Sequence, residues 1–342
     1  MSNLFAEIVD LDKLAAWMDG QGLESGPLRD PELISGGTQN ILMRFTRGAR
    51  TFVFRRPPFH KRANSDETMR REARVLAALE GSDVPHPALI AACADESRLG
   101  AAFYLMEPVD GFNPTLGLPE PHASDLAMQR RMGLAMPEAI AALGRVDYVA
   151  RGLADLGKVD GWAERQVGRW RKQLDSYRDV PGYFGPELRG VDDVGRWLDA
   201  NRPQDARAGL IHGDVHFANV LVRGDCGELA AVVDWELVTL GDPLLDLGHM
   251  LCTWPRKGVA RVVPMDAPGL PTPDEVIAHY AKYTTRDLSG VKWYWVLACY
   301  RLGLILEGTH ARACAGLAAK ETGDRLHASA VGLLEQALGL MG

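Results

Sequence analysis

The sequence predicts an α+β fold in two lobes, a small β-rich lobe followed by a larger, mainly helical one. Three observations carry that expectation. Short apolar runs broken by glycine and proline dominate residues 33–106; helical periodicity fills 121–205 and returns from Pro273 to the end; and β-type runs reappear between them, over 209–238. At 342 residues with 46% hydrophobic and 24% charged content, the chain can bury two cores, and it has no internal repeat or low-complexity segment.

Taken in order, the first eighteen residues mix acidic with apolar positions and lack a basic leader, which predicts a surface helix with Leu11, Leu14 and Trp17 inward rather than a signal peptide. Leu33-Ile34, a Ser35-Gly36-Gly37-Thr38-Gln39-Asn40 turn and the apolar runs 41–45 and 51–54 read as strands with a glycine hairpin. Residues 66–80 place Met69, Ala73, Leu76 and Leu79 at helical spacing, with acids at the start and Gly81 just past the end. Residues 101–106 form a buried strand that runs into a proline- and glycine-marked connection, so the expected boundaries are 1–106 for the first lobe, 107–111 for a hinge and 112–342 for the second lobe. Trp162, Trp170 and Trp197 supply bulk to the helical core, and Trp293, Trp295, Tyr300 and Leu304 read as core rather than as a substrate platform. The longest apolar stretch, 293–306, is interrupted by Arg301 and is shorter than the roughly 20 residues a bilayer requires, so no membrane span is expected.

Charge and cysteine usage narrow the function classes. With 38 basic against 45 acidic residues the net charge is -7, which disfavours a nucleic-acid partner. The five cysteines are scattered, without a C-x-x-C pair, as expected of a protein in reducing cytoplasm. From Pro255 onward ten basic residues face eight acidic ones, which suits an anionic or neutral ligand better than a polycation.

The segment that carries chemistry is 210–240. It holds His212-Gly213-Asp214, then Asn219, then Asp234 after the apolar run Ala231-Val232-Val233. Phosphoryl transfer needs a group to orient the attacking hydroxyl and oxygen ligands for the ion that neutralises phosphate charge; an Asp and an Asn on one loop, followed by an Asp at a strand end, are parts of that kind. The His212, Asp214, His216 spacing also admits a hydrolytic metal site, but no further His/Asp cluster completes such a ligand set.

His212-Gly213-Asp214-Val215-His216-Phe217-Ala218-Asn219 resembles the catalytic loop of aminoglycoside phosphotransferases and choline kinases, small-molecule relatives of the protein kinases. The resemblance implies a bilobal protein-kinase-like fold, ATP and Mg²⁺ as cofactors, Asp214 as the catalytic base, and Asn219 and Asp234 as metal ligands. It places Asp246 beneath the loop as a brace, with His212 and His216 as further supports. Upstream, the strand over 51–55 has the register of the one that carries the phosphate-contacting lysine, but here the residue is Arg55, with Arg56 beside it as the other reading. Glu72 is the matching helix partner, against a reading as a solvated surface residue. Gly36, Gly37 and Thr38 fit the turn that covers phosphates, and the backbone of Glu107 and Val109 the adenine contact.

Val84-Pro85-His86-Pro87, Phe103-Tyr104-Leu105-Met106-Glu107, Glu164-Arg165-Gln166-Val167-Gly168-Arg169-Trp170 and Tyr300-Arg301-Leu302 through Glu307-Gly308 look like the branch of kinase-like domains associated with acyl-CoA dehydrogenases. That branch implies a small-molecule hydroxyl acceptor such as a hydroxyacyl-CoA. Arg165 and Arg169, with Lys172, share one helix face and would cradle a CoA phosphate, or form an ordinary solvated charged face. The competing functional class is a catalytically silent nucleotide- or CoA-binding protein, motivated by arginine in the lysine position.

Overall fold

The computed structural model describes residues 9–34, 40–61, 63–186, 188–204, 206–255, 262–263 and 265–342. Two units result: the chain up to Asp110 together with Ala230–Glu236, and Gly111–Leu229 together with Leu237–Gly342.

The first unit is built on helix α1 (Leu11–Gly20), strands β1 (Arg29–Leu33), β2 (Ile41–Arg47) and β3 (Arg50–Arg56), helix α2 (Ser65–Leu79), and strands β4 (Leu89–Cys93) and β5 (Phe103–Met106). Its five-stranded sheet runs β1-β2-β3-β5-β4, with β2 and β3 antiparallel through Ile41↔Arg56 to Arg47↔Arg50. Asp10 caps α1 by accepting from the Lys13 N–H at 3.0 Å. The helix buries Leu14 and Met18 against Phe45, Phe52, Phe54 and Phe103 of the sheet, with Leu11 and Trp17 partly buried beside them. The inward face therefore includes Met18, four residues after Leu14, which the sequence reading did not name.

Helix α2 begins one residue before the predicted start and buries Met69, Glu72, Ala73, Val75, Leu76 and Leu79. Five of these are the apolar stripe that amphipathic spacing requires. Glu72 is the exception, a carboxylate on the buried face.

The second unit holds α3 (Leu126–Arg145), α4 (Trp162–Ser176), α5 (Val191–Ala200), the short strands β6 (Gly209–Ile211), β7 (Val220–Val222), β8 (Leu229–Val232, shared with the first unit) and β9 (Thr239–Gly241), then α6 (Leu244–Thr253), α7 (Pro273–Tyr280), α8 (Val291–Cys314) and α9 (Lys320–Met341). Strands β6 and β9 pair antiparallel from Gly209↔Gly241 to Ile211↔Thr239. Helix α6 is buried along its whole length, and α8 is buried on nearly every side from Val291 to Leu304. A helix apolar all round must sit inside a layer of others. Gly248 makes the contact between α6 and α8 close: a Cβ there would lie 2.5 Å from the Tyr294 carbonyl oxygen. Among the described residues no helix is long and apolar enough to cross a membrane.

The sequence reading assigned 230–236 to the second lobe, whereas this segment groups with the first unit. The reason is local. The Val232 N–H donates to the Pro85 carbonyl at 2.8 Å, and the Trp235 indole, 2% exposed, turns back to donate to the Val232 carbonyl at 3.0 Å.

Candidate functional site

The site residues fall into two groups, one in each unit. In the second unit, β6 delivers the chain into the 212–219 loop. His212 is fully buried, and Gly213 takes a left-handed backbone, φ 85°, that glycine adopts freely. A Cβ on Gly213 would also lie 2.7 Å from the Leu237 carbonyl oxygen. Asp246, on the first turn of α6, holds this bend from beneath: its Oδ2 accepts from the His212 N–H at 2.7 Å and its Oδ1 from the Gly213 N–H at 2.8 Å.

Asp214 follows the bend, its N–H directed to His212 Nδ1 at 3.2 Å. Asn219 donates both amide hydrogens to Asp214, to its carbonyl oxygen at 2.9 Å and to its Oδ2 at 3.0 Å. With the nitrogen committed, the donor atom Asn219 keeps for an ion is the hard oxygen Oδ1. His216 Nδ1 accepts from the Ala218 N–H at 3.2 Å, which leaves its other nitrogen as the N–H bearer; that Nε2 lies 3.5 Å from Asp214 Oδ2. His249 Nε2 lies 3.0 Å from Asp214 Oδ1.

In the first unit, Arg55 of β3 reaches two carboxylates with different nitrogens. Its Nε is 2.9 Å from Glu72 Oε2, and its Nη2 is 2.6 Å from Asp234 Oδ1. Glu72, with no exposed surface, also accepts from the Tyr104 hydroxyl at 2.8 Å. Arg55 rather than Arg56 is the residue in this network, because Arg56 donates to the Leu99 carbonyl at 3.1 Å. Alternation along the strand sends neighbouring side chains to opposite faces. Asp234 itself has φ 66°, a left-handed conformation that costs an aspartate on the order of 1 kcal/mol and persists where the surroundings hold it.

Residues 30–278 match the model of the phosphotransferase enzyme family. The chain belongs to that family. Among curated proteins, this phosphotransferase-family chain is 29% identical over 81% of its length to mouse acyl-CoA dehydrogenase family member 10, and 30% identical over 82% to acyl-CoA dehydrogenase family member 11 of Pongo abelii. It spans 26% and 36% of the length of those two relatives. Among solved structures, one from Ralstonia eutropha JMP134, named as a candidate aminoglycoside phosphotransferase, is 30% identical with a TM-score of 0.80, covering 97% of this chain and 99% of that one. The macrolide 2'-phosphotransferase MphH of Brachybacterium faecium shares the fold, at 20% identity and a TM-score of 0.60 over 93% and 97% of the two chains. The fold is that of kinase-like phosphotransferases, as the catalytic-loop resemblance implied.

Electrostatics set the working state of this phosphotransferase's residues. Burial alone would raise the Asp214 carboxyl, but the imidazoles of His216 and His249 against its oxygens hold it well below the ordinary carboxylate range. Burial pushes the Glu72 carboxyl up, against the pull of Arg55 and the Tyr104 hydrogen bond. Burial lowers His249, opposed by Asp214, and lowers the Arg301 guanidinium of α8, opposed by Asp214 and Asp246.

The Asp246 carboxyl is pushed up to about 6 by burial, against the two amide bonds it accepts. Its folded-state value thus exceeds the ordinary 3.8, so the folded protein holds the extra proton and this group's stabilising contribution, complete below about pH 4, is lost as pH rises to about 6. Asp246→Asn removes that titration together with one acceptor, at an expected cost of about 1–3 kcal/mol. Urea denaturation across that pH window should show the loss and a flatter pH profile; an unchanged slope in the variant would refute the assignment.

His249, Tyr104 and Arg301 were not anticipated as site residues. His249 was within reach, since it stands three residues after Asp246 on one helix face. Tyr104 and Arg301 come from distant elements, and only packing reveals them. The metal grouping suggested by spacing also changes: Asp214 and His216 gather with His249, not with His212, because the His212 ring is turned to the Asp214 N–H.

Gly36, Gly37 and Thr38 lie outside the described residues. Glu107 pairs with Arg50 and donates its N–H to the Ala88 carbonyl at 2.9 Å, and Val109 lies half-buried in the connection beyond it. Arg165 donates to the carbonyls of Asp160 and Lys158, bracing the loop before α4, and Arg169 lies over the Trp170 ring at 4.8 Å.

Proposed function

We propose that the protein transfers the γ-phosphoryl group of ATP to a hydroxyl of a small molecule. The observation that carries this reading is the Asp214 carboxylate, kept ionised and oriented by Asn219, His216 and His249. Asn219 Oδ1 and the Asp234 carboxylate are oxygen donors of the class magnesium takes, and would hold it. An ion held by these two residues would neutralise charge on the phosphates. Asp214 receives the substrate hydroxyl and aligns its oxygen; a carboxylate so far below neutral pH is a weak proton acceptor, so its main work is positioning, with the proton moving late. Arg55 supplies a permanent charge for phosphate oxygens, held by Glu72 and Asp234.

For the acceptor, the similarity to acyl-CoA dehydrogenase family members and the slight basic excess after Pro255 favour an anionic substrate such as a hydroxyacyl-CoA over a polycationic aminoglycoside. A related solved structure, aminoglycoside phosphotransferase APH(4)-Ia, 13% identical, holds ADP and hygromycin B, which supports nucleotide use and keeps aminoglycosides as the comparison class. Arg165 and Arg169 stay in the proposal as contacts for a CoA phosphate once their present partners are exchanged.

A second reading, a catalytically silent nucleotide- or CoA-binding protein, is favoured by one observation: the Arg55 guanidinium occupies Asp234 at 2.6 Å, where it competes with a metal ion. A magnesium-ATP consumption screen across hydroxyacyl-CoAs, aminoglycosides, choline-like amines and sugars separates the readings. Turnover is expected with hydroxyacyl-CoAs above the rest. Preference for an aminoglycoside would overturn the acceptor class, and ATP binding without turnover on any of them would favour the silent reading.

A further inference from the structure

Away from the catalytic loop, a second cluster of metal-ligating side chains lies where the C-terminal end of α8 meets α9. Glu307, His310 and Cys314 follow one another at intervals of three and four residues, so they share one face of α8. His327 comes from α9, which approaches closely because of Gly323: a Cβ there would lie 2.4 Å from the Ala313 Cβ.

Glu307 is fully buried, and a buried carboxylate is costly unless its charge is met. Its Oε1 accepts from the Tyr183 hydroxyl at 2.7 Å, and its Oε2 lies 2.7 Å from His327 Nδ1. Among the described residues no lysine or arginine forms an ion pair with it. The His310 and His327 rings lie beside one another, tilted by 32° with centroids 4.6 Å apart. His310 Nδ1 is buried without a hydrogen bond, 3.8 Å from Asp324 Oδ1, and its Nε2 is 3.8 Å from Cys314 Sγ.

We infer that Glu307, His310 and His327 form a site for a late first-row divalent cation of the zinc class, with Cys314, which stands outside that group at 3.8 Å from His310 Nε2, swinging in as the fourth ligand. One ligating atom from each of the first three lies within 4.8 Å of the others. A tetrahedral ion with nitrogen and oxygen donors at roughly 2 Å spaces them about 3.3 Å apart, within reach of side-chain adjustment. Two imidazoles, a carboxylate and a thiol select zinc over magnesium or calcium, which take hard oxygen donors. The ion takes the place of the hydrogen between His327 Nδ1 and Glu307 Oε2, releases that proton and the Cys314 thiol proton to solvent, and meets the buried carboxylate with positive charge. Tyr183 orients Glu307 from outside the ligand set. The site ties the end of α8 to α9 and is separate from the phosphotransfer residues.

The test is titration of the chelator-treated full-length protein with zinc and cobalt(II), followed by metal analysis, visible absorption and thermal melting. Zinc is expected to bind and to raise the melting temperature, and cobalt(II) to give a tetrahedral spectrum with a thiolate charge-transfer band. His310→Gln and His327→Gln should each weaken this binding at least about tenfold and abolish the melting shift, whereas Cys314→Ser should remove the thiolate band. His216→Ala controls for the Asp214 cluster and should leave all three signals in place. The site is refuted if zinc leaves the wild-type melting temperature unchanged, if binding survives undiminished in both histidine variants, or if it disappears in His216→Ala.

Discussion

Asp214→Asn is expected to lower turnover of the accepted substrate roughly a thousandfold, in the middle of the range a positioned catalytic base or hydroxyl-orienting group contributes. Nucleotide binding should change little. The size of the effect follows from what surrounds the side chain. Asp214 Oδ2 accepts from Asn219 Nδ2 at 3.0 Å, and Oδ1 faces His249 Nε2 at 3.0 Å. An amide in this place must turn an NH₂ group toward one of those donors, so the variant loses both the charge and the orientation of the loop. Single-turnover phosphotransfer, with circular dichroism to confirm folding, reads the loss directly. Full activity in Asp214→Asn would remove Asp214 from the chemistry. His249→Gln should fall between the variant and the parent, because glutamine keeps a donor near Asp214 but cannot carry charge.

Arg55→Met is expected to cost about 3–5 kcal/mol of folding stability, the penalty for leaving a buried charge without its partner. Glu72 would keep only the Tyr104 hydroxyl, and its carboxyl is already pushed up by burial. The combined change Arg55→Met, Glu72→Leu and Tyr104→Phe should recover most of that stability, since replacing a whole buried polar set by apolar groups of similar volume is often neutral. Phosphotransfer should not recover with it, because the cation offered to phosphate is gone. Chemical denaturation of both variants alongside activity separates the two roles. A parent-like midpoint for Arg55→Met alone would show that the pair does not support the fold.

Much of the site was readable from spacing. The 212–219 loop and Asp234 beyond an apolar run are local patterns, and the physical demand for oxygen ligands and an orienting carboxylate names them before any packing is known, whereas Asp246 follows only from the family resemblance. Glu72 was readable only as a choice between partner and solvated residue, since four of its neighbours at helical spacing are apolar while its own charge argues for water. His249 was concealed in 244–253, a segment to which the sequence reading gives no element and which the structure shows as a fully buried helix. Tyr104 and Arg301 stand within the branch motifs, but no local spacing ties either to the site.

The order of elements, the two-lobe α+β architecture and the identity of the phosphotransfer motif were therefore determined by the sequence itself, because each rests on residues near one another in the chain. The tertiary structure alone decided that 230–236 belongs with the first unit and that Arg55 bridges Glu72 and Asp234. It likewise decided that Glu307, His310 and His327 meet at the α8–α9 contact. Those outcomes depend on contacts between elements far apart in sequence, where burial sets the energy of a charge and no local periodicity records which partner will satisfy it.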